Sequence, residues 1–249
     1  MKIYDVAFLG MGASALATAK LKYKGTSISL IGIDKNYHSK RNNFFAFWLT
    51  DWMKDFDSLA QKKWFCWNFY LTNNHIKHET KDLPYCTIRY QDWKNYCLKG
   101  LENLSIKEFN VQSIKNLKKY YEIKLENGEE IFAKKIYDSR TPKLENEKVK
   151  QHFFGYLIET KQIINSNSVT LMDFRVEQKM GLHFMYCLPI DENRMLVEST
   201  VFSSEIQEDD WYQKQILEYI ETKLNLSEYK IIDEEKGALP MYDLSLIHI

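Results

Sequence analysis

The sequence predicts an α/β fold in two parts: a parallel β-α-β core at the N-terminus and an antiparallel sheet further along. Three observations predict it. "YDVAFLG" (4–10) and "SISLIGID" (27–34) are short apolar runs of the kind that make buried parallel strands. Between them, "ASALATAKLKY" (13–23) places small and apolar residues at helical spacing. Residues 151–203 then carry strand-like runs near 152–160, 169–178, 182–188 and 194–202, with "NSNS", "KMG" and "DEN" in the connections. That stretch reads as an antiparallel sheet forming a separate substrate domain.

The elements between follow in order. Residues 44–70 hold Trp48, Trp52, Trp64 and Trp67. Trp48 and Trp52 lie four apart and share a face if the segment is helical. The segment reads as an aromatic helical insertion over about 44–80, packed in the core or presenting an apolar wall to a ligand or a membrane. "WKNYCLKGLEN" (93–103) reads as a helix ending near a Gly or Asn cap. "YEIKLENGEEIFAKKIYDSR" (121–140) reads as a hairpin with "ENG" at its turn, followed by a strand over "KIYDSR". Ser204 and Gln207 form a capping box ahead of an amphipathic helix, "EIQEDDWYQKQILEYIETKL".

Composition excludes several classes. With 34 Lys+Arg against 34 Asp+Glu the net charge is zero, so no global basic field draws in nucleic acid. Cys66, Cys86, Cys97 and Cys187 form no C-x-x-C pair, and no histidine sits at metal-ligand spacing from them. They read as reduced, buried thiols of a cytosolic protein without a metal. The first apolar run is too short for a secretory signal, and no stretch approaches the roughly 18 apolar residues of a spanning helix. The chain reads as soluble or peripheral to a membrane.

"GMGASA" (10–15) follows a strand and opens a helix, and Asp34 closes the second strand. This is the Rossmann-type dinucleotide fingerprint in its G-x-G-x-x-A form. Gly10 permits the tight turn, Gly12 and Ala13 bring backbone close to a pyrophosphate, Ala15 lets the helix pack closely, and Asp34 accepts ribose hydroxyls. The cofactor is FAD or NAD. The aromatic segment interrupts the fold and the next strands are expected only after residue 120, which favours FAD and a flavoprotein built from discontinuous pieces.

"LMDFRV" (171–176) raises a separate question. As a strand it points Met172, Phe174 and Val176 one way and Asp173, Arg175 and Glu177 the other. The polar face meets water or lines a polar site.

"DKNYHSKRNNFFAFW", "YDSR", "QHFFGYLIET", "VTLMDFRVEQ", "FMYCLPI", "RMLVESTVFSS" and "KGALPM" occur in the order shown by one family. Together, over most of residues 3–241, they resemble the bacterial flavin-dependent lycopene β-cyclases. The resemblance implies a glutathione-reductase-like flavoprotein fold and a non-redox reaction. An acid protonates the terminal double bond of lycopene, an internal double bond closes a ring on the cation, and loss of a ring proton leaves a β-ionone ring. It implies reduced FAD, with NAD(P)H only as the source of reducing equivalents. It makes Glu198 of "LVEST" the essential glutamate, with Ser199 where relatives often carry a second acid. It places Asp173 and Arg175 around the flavin and substrate cavity as further catalytic residues, Arg175 keeping Asp173 ionised. Asp138, Arg140 and Arg89 are implied cofactor contacts. A dry, aromatic-rich pocket suits such cations.

The expected domains are an FAD-binding domain over 1–145, an antiparallel-sheet substrate domain over 146–235, and a return to the FAD domain from 236 to 243. "LSLIHI" (244–249) matches the translation of a sequencing-library transposon end, so a non-native tail on a truncated reading frame is expected. The substrate, too apolar for water, implies peripheral contact with the inner membrane from the cytoplasmic side. Two other readings compete. One is an FAD-dependent monooxygenase or reductase acting on an apolar substrate. The other is an inactive fragment or a non-catalytic flavin or carotenoid binder.

Overall fold

The computed structural model describes residues 2–39, 43–140 and 148–241. In chain order the elements begin with β1 (Ile3–Leu9), α1 (Ala13–Tyr23), β2 (Leu30–Ile33) and β3 (Phe44–Trp48). A run of 3-10 turns, Asp51–Leu59, leads to β4 (Lys62–Trp64), β5 (Cys66–Leu71), β6 (Asn74–Glu79) and β7 (Tyr85–Arg89). Then come α2 (Tyr90–Leu98), β8 (Leu104–Lys107), β9 (Val111–Asn116), β10 (Tyr121–Leu125) and β11 (Glu130–Asp138). The rest is β12 (Lys150–Thr160), β13 (Val169–Asp173), β14 (Leu182–Pro189), β15 (Arg194–Ser203), α3 (Asp209–Thr222) and β16 (Tyr229–Pro240). The chain divides into two compact units, 1–43 with 89–141 and 44–88 with 142–249.

The first unit is a six-stranded sheet in the order β8-β2-β1-β11-β10-β9. β1 pairs in parallel with β2 and β11, and β2 with β8. β11, β10 and β9 continue as antiparallel neighbours. Strands flanked in parallel are buried on both faces, which is why β2 is apolar throughout. Leu9, Ile31, Ile33, Ile123 and Leu125 form its core. On α1, Ala15, Leu16 and Ala19 are buried. Gly32 makes room for Met11, whose sulfur would lie 2.6 Å from a Cβ at that position.

The second unit is a seven-stranded sheet, β16-β12-β15-β14-β13-β5-β6, and a three-stranded sheet, β3-β7-β4. Every pairing in the large sheet is antiparallel except β13 with β5. Strand side chains alternate, so this sheet has two distinct faces. One face carries Phe154, Tyr156, Met185, Val197 and Val201 and packs on Tyr212, Ile216, Tyr219 and Ile220 of α3. The other carries Leu157, Leu188 and Leu196 and packs on Trp64 and Tyr85 from the small sheet.

Several expectations are corrected. Residues 44–70 form strands and 3-10 turns in place of a helical insertion, and 44–88 groups with the second unit. The residues are aromatic and favour a pleated surface, where Trp48 meets Trp67 at 6.0 Å and Tyr85 at 4.9 Å, edge to face. β8 and β9 precede residue 120, where no strand was expected. The strand at "LMDFRV" stops at Asp173, so Arg175 lies beyond it. α3 begins at Asp209 with Glu208 as N-cap, so the Ser204–Gln207 box is not the cap; Asp209 and Asp210 suit the positive end of the helix dipole instead. β16 pairs with β12 along its length, so "KGALPM" stays with the large sheet through Pro240. The expected tail at 244–249 lies outside the described residues.

Candidate active site

The first candidate site lies in the first unit, where β1 turns into α1. Gly10 has φ +80°, a conformation that suits glycine, and a Cβ there would sit 3.2 Å from Ser139 Oγ and 3.3 Å from the Arg140 nitrogen. Gly12 is the N-cap of α1, and nothing lies within 4 Å of where its Cβ would be. The first turn of α1 has no acid, while Lys20 and Lys22 occupy the last. The helix therefore presents unpaired N–H groups and positive dipole at the glycine turn. The Asp34 carboxylate accepts the backbone N–H groups of Met11 and Asn36, each at 2.8 Å. Two aromatics of α2 brace the turn: Tyr90 Oη donates to the Met11 carbonyl at 3.0 Å and Trp93 Nε1 to the Ala13 carbonyl at 3.1 Å.

The end of β11 completes the cleft. Asp138 pairs with Leu9, and Ser139 donates its N–H to the Leu9 carbonyl at 2.9 Å. Arg140 grips Asp138 through Nε and Nη2, at 2.8 and 2.6 Å. These hydrogen bonds hold the Asp138 carboxyl below its usual range despite burial. The result is a cleft of about 470 Å³ lined by Gly10, Gly12, Asp34, Asn36, Ser139 and Arg140, among others. Its donors suit a pyrophosphate, and Asp34 is an acceptor suited to a ribose, so these residues fit a dinucleotide. Ala15 is buried, and Arg89, half-buried at the end of β7, is the N-cap residue of α2.

The second candidate site is on the face of the large sheet away from α3. Register puts Glu235 of β16 beside Gly155 of β12, Gly155 beside Glu198 of β15, and Glu198 beside Tyr186 of β14. Cross-strand partners point to the same side, so both glutamates project from one face with a missing side chain between them. Glu198 accepts the Thr200 hydroxyl at 2.5 Å. Burial pushes its carboxyl up to about 8, against the Thr200 hydrogen bond and helped by the charge of Glu235. Burial pushes Glu235 up to about 7, helped by the charge of Asp233. On the same face Leu157, Leu196 and Tyr186 belong to an apolar cluster with Trp64, Trp67 and Tyr85. The Tyr85 and Tyr186 hydroxyls are hydrogen-bonded at 2.7 Å. Burial holds both phenols neutral, Tyr85 at about 12 and Tyr186 well above the ordinary phenol value. This is an apolar, aromatic wall with two carboxyl groups whose proton affinity burial raises toward neutral pH.

Asp173 and Glu198 are not brought together. Asp173 pairs with Met185, on the α3 face, and is fully buried. Burial raises its carboxyl, but Arg175 and Tyr219 outweigh that and leave it below the usual value. Arg175 supplies bonds of 2.9 and 2.6 Å and Tyr219 Oη one of 2.7 Å. Arg175 also lies over the Tyr70 ring, 4.2 Å from its centroid. The polar side chains of "LMDFRV" thus answer to a buried ion pair under α3. Ser199 is on that same face, 2.9 Å from His183 Nε2. Sequence reasoning missed Glu235, Gly155 and Tyr186, which meet Glu198 only through strand register, and Tyr85, which joins them through the Tyr186 hydroxyl. It missed Tyr90 and Trp93 as well, although their i, i+3 spacing was visible. Among the described residues no group of three or more His, Cys, Asp or Glu could hold a metal ion.

A two-unit α/β chain with a glycine turn on a parallel sheet and a separate large sheet has the Rossmann-like fold of flavoproteins. The solved structures that resemble it bear this out at the level of fold. A geranylgeranyl bacteriochlorophyll reductase-like protein from Thermoplasma acidophilum matches with TM-score 0.69 and 11% identity, over 96% of this chain and 67% of that one. The p-nitrophenol 4-monooxygenase PnpA from Pseudomonas putida matches with TM-score 0.68 and 11% identity, over 96% and 68%. Halogenase PltM, solved with phloroglucinol and FAD, matches with TM-score 0.65 and 12% identity, over 95% and 60%. The chain belongs to the lycopene cyclase protein family, whose model matches residues 5–247. A lycopene beta-cyclase of Pseudescherichia vulneris is 30% identical over 122 residues, 48% of this chain and 31% of that relative. The match thus spans about a third of the relative's length.

Proposed function

We propose that the chain carries the catalytic face of a lycopene β-cyclase, with Glu198 as the proton donor. The observation that carries this is the Glu198 carboxyl, raised to about 8 in an aromatic setting. An acid that is still protonated at neutral pH can protonate an alkene, where an ordinary carboxylate cannot. The proton goes to the terminal double bond, the neighbouring carbon becomes cationic, and an internal double bond attacks it to form the ring bond. A ring proton is then released, so the product is an isomer of the substrate. Water would trap such a cation, so Trp64, Trp67 and Leu196 serve to exclude it, and ring faces offer it partial negative charge.

Gly10, Gly12, Ala13, Ala15 and Asp34 would hold FAD, with Arg140 and Asp138 at the strand end beside the turn and Arg89 as a further contact. Reduced flavin, when bound, would supply negative charge that favours the cation, with NAD(P)H only as the source of its electrons. The exposed Trp48, Trp52, Phe65 and Leu83 of the 44–88 segment support peripheral membrane contact, since they offer apolar and indole surface at an interface. No helix among the described residues is long and apolar enough to cross a membrane.

The test is a pigment chromatogram. Bacteria that accumulate lycopene receive the gene as wild type and as Glu198→Gln. The expected result is monocyclic or bicyclic carotene from the first and unchanged lycopene from the second, a loss of roughly a hundredfold or more. Membrane fractionation of the same cells should recover the protein with the lipid. Unchanged lycopene from a flavin-loaded wild type, with NADPH consumed on another substrate, would replace the cyclase with an oxidoreductase.

A further inference from the structure

Ring closure moves two protons at two different carbons. One is delivered to the terminal double bond; the other leaves the carbon that joined the new ring bond. Glu198, once it has donated, is a carboxylate placed at the first position. The second position calls for another acceptor on the same wall. The sequence puts Ser199 beside Glu198, but Ser199 faces α3 and His183, on the wrong side of the sheet. The carboxyl that does share the face is 37 residues further along: Glu235 on β16, reached across Gly155.

We propose that Glu235 is the proton acceptor of ring closure, acting opposite Glu198 across the side-chain gap at Gly155. This rests on the cyclase reading of Glu198. Three features point to it. Glu235, Gly155 and Glu198 are in register on adjacent strands, which sets the two carboxylate-bearing Cα atoms about 10 Å apart. The position between them carries no side chain. A side chain at Gly155 would project into this gap: its Cβ would touch Glu198 Cβ and Cγ at 3.4 Å. Lastly, burial raises both carboxyls, and a charge on Glu235 helps keep Glu198 protonated. With Glu235 ionised and Glu198 protonated, the face holds one base and one acid. After a turnover Glu235 carries the proton that Glu198 lost, and passing it back across the gap restores both. No electrons move and no atoms are gained or lost.

The test uses the full gene product with reduced FAD and lycopene in lipid vesicles, in deuterated buffer. Wild type, Glu198→Gln, Glu235→Gln and Glu235→Asp are compared for ring formation and for deuterium in the recovered lycopene. Glu235→Gln is expected to form β rings roughly a hundredfold more slowly. Its recovered lycopene should carry deuterium on the terminal double bond, because Glu198 still protonates it and the cation reverts. Glu198→Gln should leave lycopene unlabelled, and Glu235→Asp should recover part of the rate. Full-rate ring formation by Glu235→Gln would overturn the proposal, since Glu198 would then do both jobs. So would a slow Glu235→Gln whose lycopene is unlabelled, which is the signature of a merely structural glutamate. Failure of the wild type to form rings would instead bring down the cyclase reading on which the proposal stands.

Discussion

A glutamate in water is ionised at neutral pH, and what changes Glu198 is its surroundings. Its carboxyl rises from 4.5 to about 8, chiefly because the ionised form is stripped of water. Folding therefore retains a proton that the unfolded chain releases between those values. The sign follows from linkage: the native state binds more protons there, so stability falls as pH rises from 4.5 to about 8. Glu198→Gln removes the ionisation. The variant should unfold close to wild type below pH 4.5 and at a higher temperature above pH 8, by about 2–4 °C for each kcal/mol recovered. Thermal unfolding followed by circular dichroism reads this directly. An equal gap at both ends would mean that Glu198 titrates like a surface acid. Asp173 is the opposite case. It is more deeply buried yet remains ionised, because Arg175 and Tyr219 together direct four hydrogen bonds onto its two oxygens. Burial alone does not decide a proton's place; the donors around the carboxyl do.

At the scale of elements, β12 organises the carboxylate site by placing a residue without a side chain between the two acids. It is flanked by β15 and β16, and Gly155 is the position where it lies between the two acids. Gly155 is not among the glycines with positive φ, so its backbone accepts an L residue. Gly155→Ala should therefore leave the fold intact, and by reducing the freedom of the unfolded chain should stabilise it by about 0.4–1 kcal/mol. The added methyl should nonetheless slow ring formation by intruding on the space between the carboxyls. Denaturant unfolding and the pigment assay separate the two effects. A variant that is stable and fully active would show that the gap is not used. The sequence made β1, α1 and β2 legible because their signal is local: apolar runs, two glycines and an acid. Glu198 was legible through family resemblance. Glu235 was not, because its pairing with Glu198 exists only once β12 lies between their strands. The aromatic segment was misread for a related reason. A Trp at i and another at i+4 fit a helix face, but "FFAFW" is as suited to a strand, and tertiary packing on Trp67 and Tyr85 decides between them.

The whole molecule has two units with separate cores, and its thiols report on each. Cys97 is buried on α2 in the first unit, whose Tyr90 and Trp93 brace the glycine turn. Cys187 is buried in the core of the second, among Met185 and Tyr219. Burial pushes the Cys97 thiol up to about 12 and lifts Cys187 well above the ordinary range. Thiolates are the reactive species, so neither should be modified until its unit opens. A ligand that binds only the folded first unit stabilises it by about 2.7 kcal/mol at a hundred times its dissociation constant. If the cleft at Gly10 and Asp34 binds FAD, the flavin at that concentration should slow alkylation of Cys97 by about a hundredfold. Cys187 should be slowed by no more than that, and by less if the second unit opens on its own. Mass spectrometry after timed alkylation, with and without FAD, measures both sites in one sample. Protection of Cys97 would locate the flavin on the first unit independently of any catalytic assay. An unchanged Cys97 rate under saturating FAD would mean that the glycine turn, despite its open Gly12 and its acid, does not hold the dinucleotide in this chain.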